Sequence, residues 1–153
     1  MSERIRELLR QRYRWPKYLF VEEVANGTGA HGGRFADGLA LALWPSSGMW
    51  LYGFEIKMQR ADLLRELRDM KKWKAVGCYC DYWWLVVGPD VWKETDELPP
   101  SWGVLEYVPE REKWRGPLQV RRRPRRQEAF PMDRPFIASL LRNGVRVPTE
   151  GTG

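Results

Sequence analysis

Apolar residues recur along the chain with two periods, and the switches between them mark out the elements. Ile5, Leu8, Leu9 and Tyr13 share one helical face, which predicts a helix over Glu3 to Tyr13 with Ser2 as its N-cap. Trp15-Pro16 ends it, because the residue before a proline is driven out of the helical region. KYLFVEEV (Lys17 to Val24) reads as a short strand and NGTGAHGG (Asn26 to Gly33) as a glycine-rich loop. That loop lacks the GK[ST] ending of a nucleotide-binding loop, and no helical pattern follows it. FADGLALALW (Phe35 to Trp44) and MWLYGFEIK (Met49 to Lys57) flank PSSG and predict a hairpin. Leu63, Leu67, Met70 and Lys74, with Leu64 beside them, predict an amphipathic helix from Ala61 to about Val76. YWWLVVG (Tyr82 to Gly88) is a continuous apolar run, the mark of a strand buried on both faces. GVLEYV (Gly103 to Val108) is a further strand, and Phe136, Ile137, Leu140 and Leu141 mark a last helix. The order helix, strand, hairpin, helix, strand, strand, helix predicts an α/β fold: one domain over residues 1–147, a central mixed sheet flanked by helices, and a flexible tail over 148–153.

One stretch conflicts with this pattern. GFEIKMQRADLL (Gly53 to Leu64) opens as a buried strand yet places Glu55 and Lys57 two residues apart, on one face. Burying charge is costly unless the pair is well hydrogen-bonded. Either this strand has a wet face or the charges serve a site. Counting outward from PSSG brings Asp37 level with Glu55 or Ile56. The register opposite Glu55 would gather two carboxylates and Lys57 on one face, but a slip of one residue would reverse every side chain.

Composition narrows the classes. The 153-residue chain is 43% hydrophobic and holds nine tryptophans, which argues against disorder. No apolar run approaches the roughly 18 residues needed to span a bilayer, and the charged N-terminus carries no signal-peptide core. A soluble, intracellular, cytoplasmic protein without a membrane partner is the expectation. Cys78 and Cys80 with a single histidine are too few for a structural zinc site. The net charge of +6 is concentrated in VRRRPRRQ and in Arg4, Arg6, Arg10, Arg12 and Arg14, a balance that favours polyanions.

Asp37, Glu55 and Lys57, with Glu23 at the end of the preceding strand, suit a hard divalent cation. Mg²⁺ takes oxygen ligands, commonly one or two carboxylates plus water and substrate phosphate, and the Ile56 carbonyl could add one oxygen. Such a metal would stabilise charge on a scissile phosphate, with Lys57 orienting or deprotonating water or stabilising the transition state.

Asp37, a hairpin, and Glu55-Ile56-Lys57 at the end of an apolar strand resemble the PD-(D/E)xK nuclease superfamily. EEV, RFAD, FEIKMQRADLL and KKWKAVGCYCDYWWLVV resemble its MmcB-like DNA-repair branch, with matches at Glu23, Asp37, Glu55, Lys57, Asp62, Lys72, Trp73, Cys80 and Asp81. These span Glu22 to about Val87; the C-terminal third fits only loosely. Ala36 stands where the superfamily has its proline, and Met58-Gln59 replace a small or polar pair. The resemblance implies a restriction-endonuclease-like core and a Mg²⁺- or Mn²⁺-dependent nuclease cutting DNA phosphodiesters in repair, recombination or replication-linked processing. It implies Asp37, Glu55 and Ile56 as metal ligands, and Glu23, Asp37, Glu55 and Lys57 as the catalytic set.

Accessory candidates are Gln59, which would share the face of Glu55 and Lys57, Asp62, which also fits a helix cap, Lys72 and the loop residue His31. Arg34, Arg60, Arg121, Arg122, Arg123, Arg125 and Arg126 are candidate contacts to nucleic acid, tracking the backbone with little base readout. Glu22 rivals Glu23, since strand alternation lets one of them face inward. Trp73, Trp83 and Trp84 read as core. DNA is the expected partner, with RNA not excluded, and a homodimer is among the assemblies expected of nucleases that act on both strands. Two other classes stay open: a non-catalytic nucleic-acid-binding module that recruits another enzyme, and a partner-binding protein with a tryptophan-rich surface.

Overall fold

The computed structural model describes residues 2–25 and 35–144. Helix α1 (Ser2–Arg12) leads into β1 (Tyr18–Ala25), and β2 (Phe35–Ala42) and β3 (Leu51–Lys57) form the expected hairpin. Helices α2 (Arg60–Arg68) and α3 (Lys71–Gly77) precede β4 (Tyr82–Val87), β5 (Trp102–Tyr107), β6 (Leu118–Arg122) and α4 (Arg134–Gly144). The six strands form one mixed sheet in sequence order. β1, β2 and β3 pair antiparallel, β3, β4 and β5 run parallel, and β6 returns antiparallel to β5. This is the α/β architecture expected, and no helix among the described residues is long and apolar enough to cross a membrane.

The sheet is apolar on both faces, and each face has its own helices. On one, Ile5 and Leu9 of α1 and Tyr13 just after it pack against Ala40, Phe54, Trp84, Val86 and Leu105. On the other, Leu63, Val76, Phe136 and Leu140 from α2, α3 and α4 cover Leu39, Leu51, Trp83, Leu85 and Trp102. The run YWWLVV therefore feeds two cores at once from a central strand, Trp83 to one side and Trp84 to the other. Trp73 meets Trp83 and Trp102 edge-on, with centroids 6.2 and 5.6 Å apart. It belongs to the core, as do Trp83 and Trp84.

Three expectations need correction. The chain does not form one helix from Ala61 to Val76. At Asp69 the backbone leaves the helical region (φ −129°, ψ 83°), and the Asp69 carboxylate accepts the Lys71 N–H at 3.2 Å. An aspartate that bonds its local backbone competes with the helix, which the hydrophobic period does not reveal. Asp62 is no N-cap either: Gln59 holds that place with no side-chain cap bond, and Asp62 lies inside the first turn. Ser2 likewise opens α1 as a helical residue instead of capping it. Beyond these, β6 is a strand that the apolar pattern did not announce, because an arginine-bearing edge strand has little apolar alternation. The expected tail over 148–153, with His31 and Arg34, lies outside the described residues.

Two glycines make the hairpin possible. Gly48 turns it with φ 78°. Gly53 lies flat under the Trp83 ring, where an added Cβ would sit 2.3 Å from ring carbons. Gly53→Ala should therefore destabilise the fold by about 1–3 kcal/mol through overpacking, measurable as a lower urea midpoint with an unchanged slope.

Candidate functional site

The β2–β3 ladder stops short of its strand ends, and the site begins where it stops. Gly38 faces Phe54 in the last ladder pair. Continuing that register sets Asp37 opposite Glu55, which resolves the alignment the sequence left open. The strands part there, and the Ile56 N–H donates to Asp37 Oδ2 at 2.7 Å instead of to a carbonyl. Asp37 thus replaces a missing ladder bond and is itself fixed by it. Its other oxygen, Oδ1, accepts from Arg6 at 3.2 Å, and Arg6 also donates to the Asp37 carbonyl at 3.3 Å.

Glu55 and Lys57 project from the last residues of β3 toward α2, half-buried. Lys57 Nζ lies 3.1 Å from Glu55 Oε1 and 3.3 Å from Glu66 Oε2. Burial pushes the Glu55 carboxyl up to about 8; the negative charge of Asp37 adds to the rise and Lys57 opposes it. Burial pulls the Lys57 ammonium the other way, but the charges and hydrogen bonds of Glu55 and Glu66 outweigh it and raise its pKa. Lys57 is therefore a fixed cation, and Glu55 is a carboxyl short of positive charge.

Glu66 is a site residue that the sequence reading missed. Its side chain is only 9% exposed, and a charge that buried on a helix calls for a partner. Arg6 was missed for a different reason. The sequence presents Arg4, Arg6 and Arg10 as cations for a polyanion, whereas the fold pairs all three internally. Arg4 bonds Glu112 and Glu7, and Arg10 bonds Glu22 and Glu3. Arg6 gathers Asp37 at 3.2 Å, Glu22 at 3.6 Å and Glu23 at 3.9 Å.

The choice between Glu22 and Glu23 rested on strand alternation, and alternation fails here. Glu23 has φ 53°, a left-handed conformation, and it has no ladder partner between the Glu22–Gly38 and Val24–Ala36 pairs. Val21 and Val24 consequently enter the same core, three residues apart. Glu22 turns to α1. Burial raises its carboxyl, but hydrogen bonds and charge from Arg10 and Arg6 leave it net below the ordinary range. The Glu23 side chain is 72% exposed at the border of the cluster.

The remaining candidates divide between the Lys57 corner and the far edge of the sheet. A polar pocket of about 190 Å³ opens beside Lys57, lined by Asp62, Arg65, Glu66, Asp69 and Lys72. Asp62 pairs with Arg65 at 3.4 Å there, and Gln59 is exposed at the start of α2. Arg60 is occupied: it forms a two-pronged pair with Asp96 at 2.7 and 2.9 Å and bonds the Val91 carbonyl. The Arg121–Arg126 segment is not brought to the acidic site. Arg122 pairs opposite Val104, and the Arg125 N–H reaches the Ser101 carbonyl at the start of β5. Val104 lies beside Leu85 and Leu85 beside Glu55, so Arg122 is level with Glu55 but on the edge strand, about 15 Å away across three strands. The chain runs from there to the opposite end of the sheet. On that edge strand Arg121 pairs with Glu106, and Arg122 bonds the Pro99 carbonyl.

Among the described residues, no group of three or more Asp, Glu, His or Cys side chains is arranged to hold a metal ion. A divalent cation would draw on Asp37 and Glu55 and complete its shell with water and substrate oxygens. The donor set fits that demand: two hard carboxylates, one of which is raised for want of positive charge.

No protein-family model matches the sequence, and no curated protein matches it. Among solved structures, the chain is similar to the SPO1766 protein of unknown function from Silicibacter pomeroyi. The TM-score is 0.52 at 19% identity, covering 82% of this chain and 76% of that one. The two share a fold. At that identity the likeness extends no further, and it supports the α/β architecture.

The raised Glu55 carboxyl has a consequence for stability. The folded protein keeps a proton that the unfolded chain releases above its ordinary value of 4.5, so stability is full below that pH and declines as pH rises through about 8. In EDTA, the melting temperature of the wild type should fall between pH 5 and pH 9. Glu55→Gln should flatten that decline, and an equal slope in both proteins would show that Glu55 is not its source.

Proposed function

We propose that this protein is a metal-dependent nuclease of the PD-(D/E)xK type, hydrolysing phosphodiester bonds in DNA. The observation that carries the reading is the junction at the end of β3. Asp37 is fixed on the Ile56 N–H, Glu55 is raised beside it, and Lys57 stands 3.1 Å from Glu55 as a fixed cation. A purely structural ion pair has no use for a second carboxylate that raises the first.

In this reading Asp37 and Glu55, with the Ile56 carbonyl, hold Mg²⁺ or Mn²⁺. When bound, the metal supplies Lewis-acid stabilisation of the phosphate and lowers the pKa of a bound water. The protein's own groups do the rest. The raised ammonium of Lys57 is unsuited to accept a proton, so its role is to orient water and to stabilise charge on phosphate oxygens. Glu66 keeps Lys57 in place when Glu55 turns to the metal. Glu23, exposed at the border, is positioned to meet solvent or substrate and not the buried cation site. Lys72 and Arg65 line the adjoining pocket, where a neighbouring phosphate would be drawn.

One observation favours the alternative of a non-catalytic nucleic-acid module: the Asp37 carboxylate is already paired with Arg6 at 3.2 Å. Cleavage assays separate the two. Labelled single-stranded, duplex and branched DNA should be cut with Mg²⁺ or Mn²⁺ and left intact in EDTA. Asp37→Ala and Lys57→Ala should each reduce the rate by about 10²-fold or more. DNA binding without cutting, unchanged in both variants, would establish the binding module instead.

A second measurement tests the metal itself. Because a proton and the cation compete for Glu55, Mn²⁺ affinity by calorimetry should rise with pH up to about 8 and then level off. In Glu55→Gln the affinity should be weak and independent of pH over that range.

A further inference from the structure

At the end of the sheet away from Glu55, the α1 face carries a row of half-buried aromatic rings beyond the end of the helix. Trp50, Tyr82, Tyr52 and Tyr18 follow one another with centroids 6.2, 5.3 and 6.3 Å apart, and Tyr52 and Tyr82 lie stacked at 16°. Register puts them on one face: Tyr18 is opposite Ala42, Ala40 is opposite Tyr52, and Tyr52 is beside Tyr82. Two exposed indoles lie at the same end of the sheet, close in sequence to the Leu43 N–H bond to the Lys17 carbonyl. Trp44 is 54% and Trp15 is 71% exposed, and Trp44 Nε1 donates to the Pro16 carbonyl at 3.1 Å, which seats the two together.

Cations are interleaved with these rings. The Arg126 guanidinium lies 4.3 Å over the Trp50 ring, and Lys17 Nζ lies 5.5 Å over Tyr18. Arg14 and Arg125 are exposed nearby in the chain. Asp81, the acid that acts on Tyr52, is committed to the Leu51 N–H at 2.8 Å. Tyr13 packs on Tyr18 and Tyr52 from the core side, while the exposed indoles and cations without an acidic partner among the described residues match what an unpaired base and its phosphate require. A duplex keeps its bases stacked on one another and cannot use such rings.

We propose that this aromatic and cationic strip binds single-stranded nucleic acid by base stacking, separately from the Asp37–Glu55–Lys57 site. The proposal deepens the nucleic-acid part of the reading above and does not depend on catalysis. The basic segment around Arg126 gains a role here that its distance from the acidic site denies it there. Protein is the competing partner, because exposed tryptophan and arginine also anchor protein interfaces.

The test is fluorescence anisotropy in EDTA, so that binding is read without cleavage. The probes are labelled oligo-thymidylate, oligo-uridylate and a hairpin duplex of equal length. Single strands should bind more tightly than the duplex, and the two homopolymers distinguish DNA from RNA as the ligand. Trp44→Ala and Arg126→Ala should each weaken single-strand binding about tenfold. Trp114→Ala, which removes an indole 76% exposed but outside the row, should bind as the wild type does. Unchanged melting temperatures would show that the variants are folded. Equal affinity for duplex and single strand, or wild-type binding by Trp44→Ala, would overturn the proposal. So would self-association lost in Trp44→Ala without oligonucleotide binding, which would assign the strip to a protein partner. Single strands bound here by a protein that never cuts would support the strip and remove the nuclease reading. Cleavage with no role for Trp44 or Arg126 in binding would do the reverse.

Discussion

The acidic site depends on one bond, from the Ile56 N–H to the Asp37 carboxylate. A buried backbone donor must find an acceptor, and the parting of β2 from β3 leaves this one without a carbonyl. A side chain supplies the acceptor, which pins a carboxylate at the mouth of the split. Glu55 follows from the same geometry, since it sits opposite Asp37 and cannot escape its field. The charge of Lys57, Arg6 and Glu66 is then arranged around two acids that the backbone has fixed in place.

Two cores make that split tolerable. Helix α1 seals one face of the sheet and α2, α3 and α4 seal the other, so losing a few ladder bonds at one corner costs little of the buried apolar area. The central strand β4 contributes to both sides and is paired along its length. The irregular features gather at the corner instead: the left-handed Glu23, Asp37 without a ladder partner, and the abrupt start of α2 after Lys57. Local departures from ideal geometry are affordable where the remainder is regular, and they cluster where groups need unusual surroundings.

Charge is divided between the ends of the sheet. Around Asp37 and Glu55, acids outnumber what Arg6 and Lys57 can neutralise, and the surplus appears as the raised Glu55 carboxyl. At the far end, Arg126 and Lys17 sit over aromatic rings. The net charge of +6 averages over these two surfaces and describes neither.

Periodicity alone determined the helix of α1, the hairpin, the doubly buried strand β4 and the mixed sheet, because each buries a face whose repeat is written in adjacent residues. The pairing of Asp37 with Glu55 and Lys57 was also within reach, since a hairpin leaves only a one-residue choice of register. What lay beyond the sequence depended on contacts between distant segments. Arg6 reaches Asp37 across 31 positions, and nothing local distinguishes it from the solvated arginines around it. Glu66 became a site residue only when the last turn of α2 was set against Lys57, and the break at Asp69 carries one local side-chain bond. The separation of the basic segment from the acidic site was decided by β6 running back along β5. The physical reason is common to all of these. Local sequence encodes which face is buried, but charges are paired in space, and space is assigned only when the sheet closes.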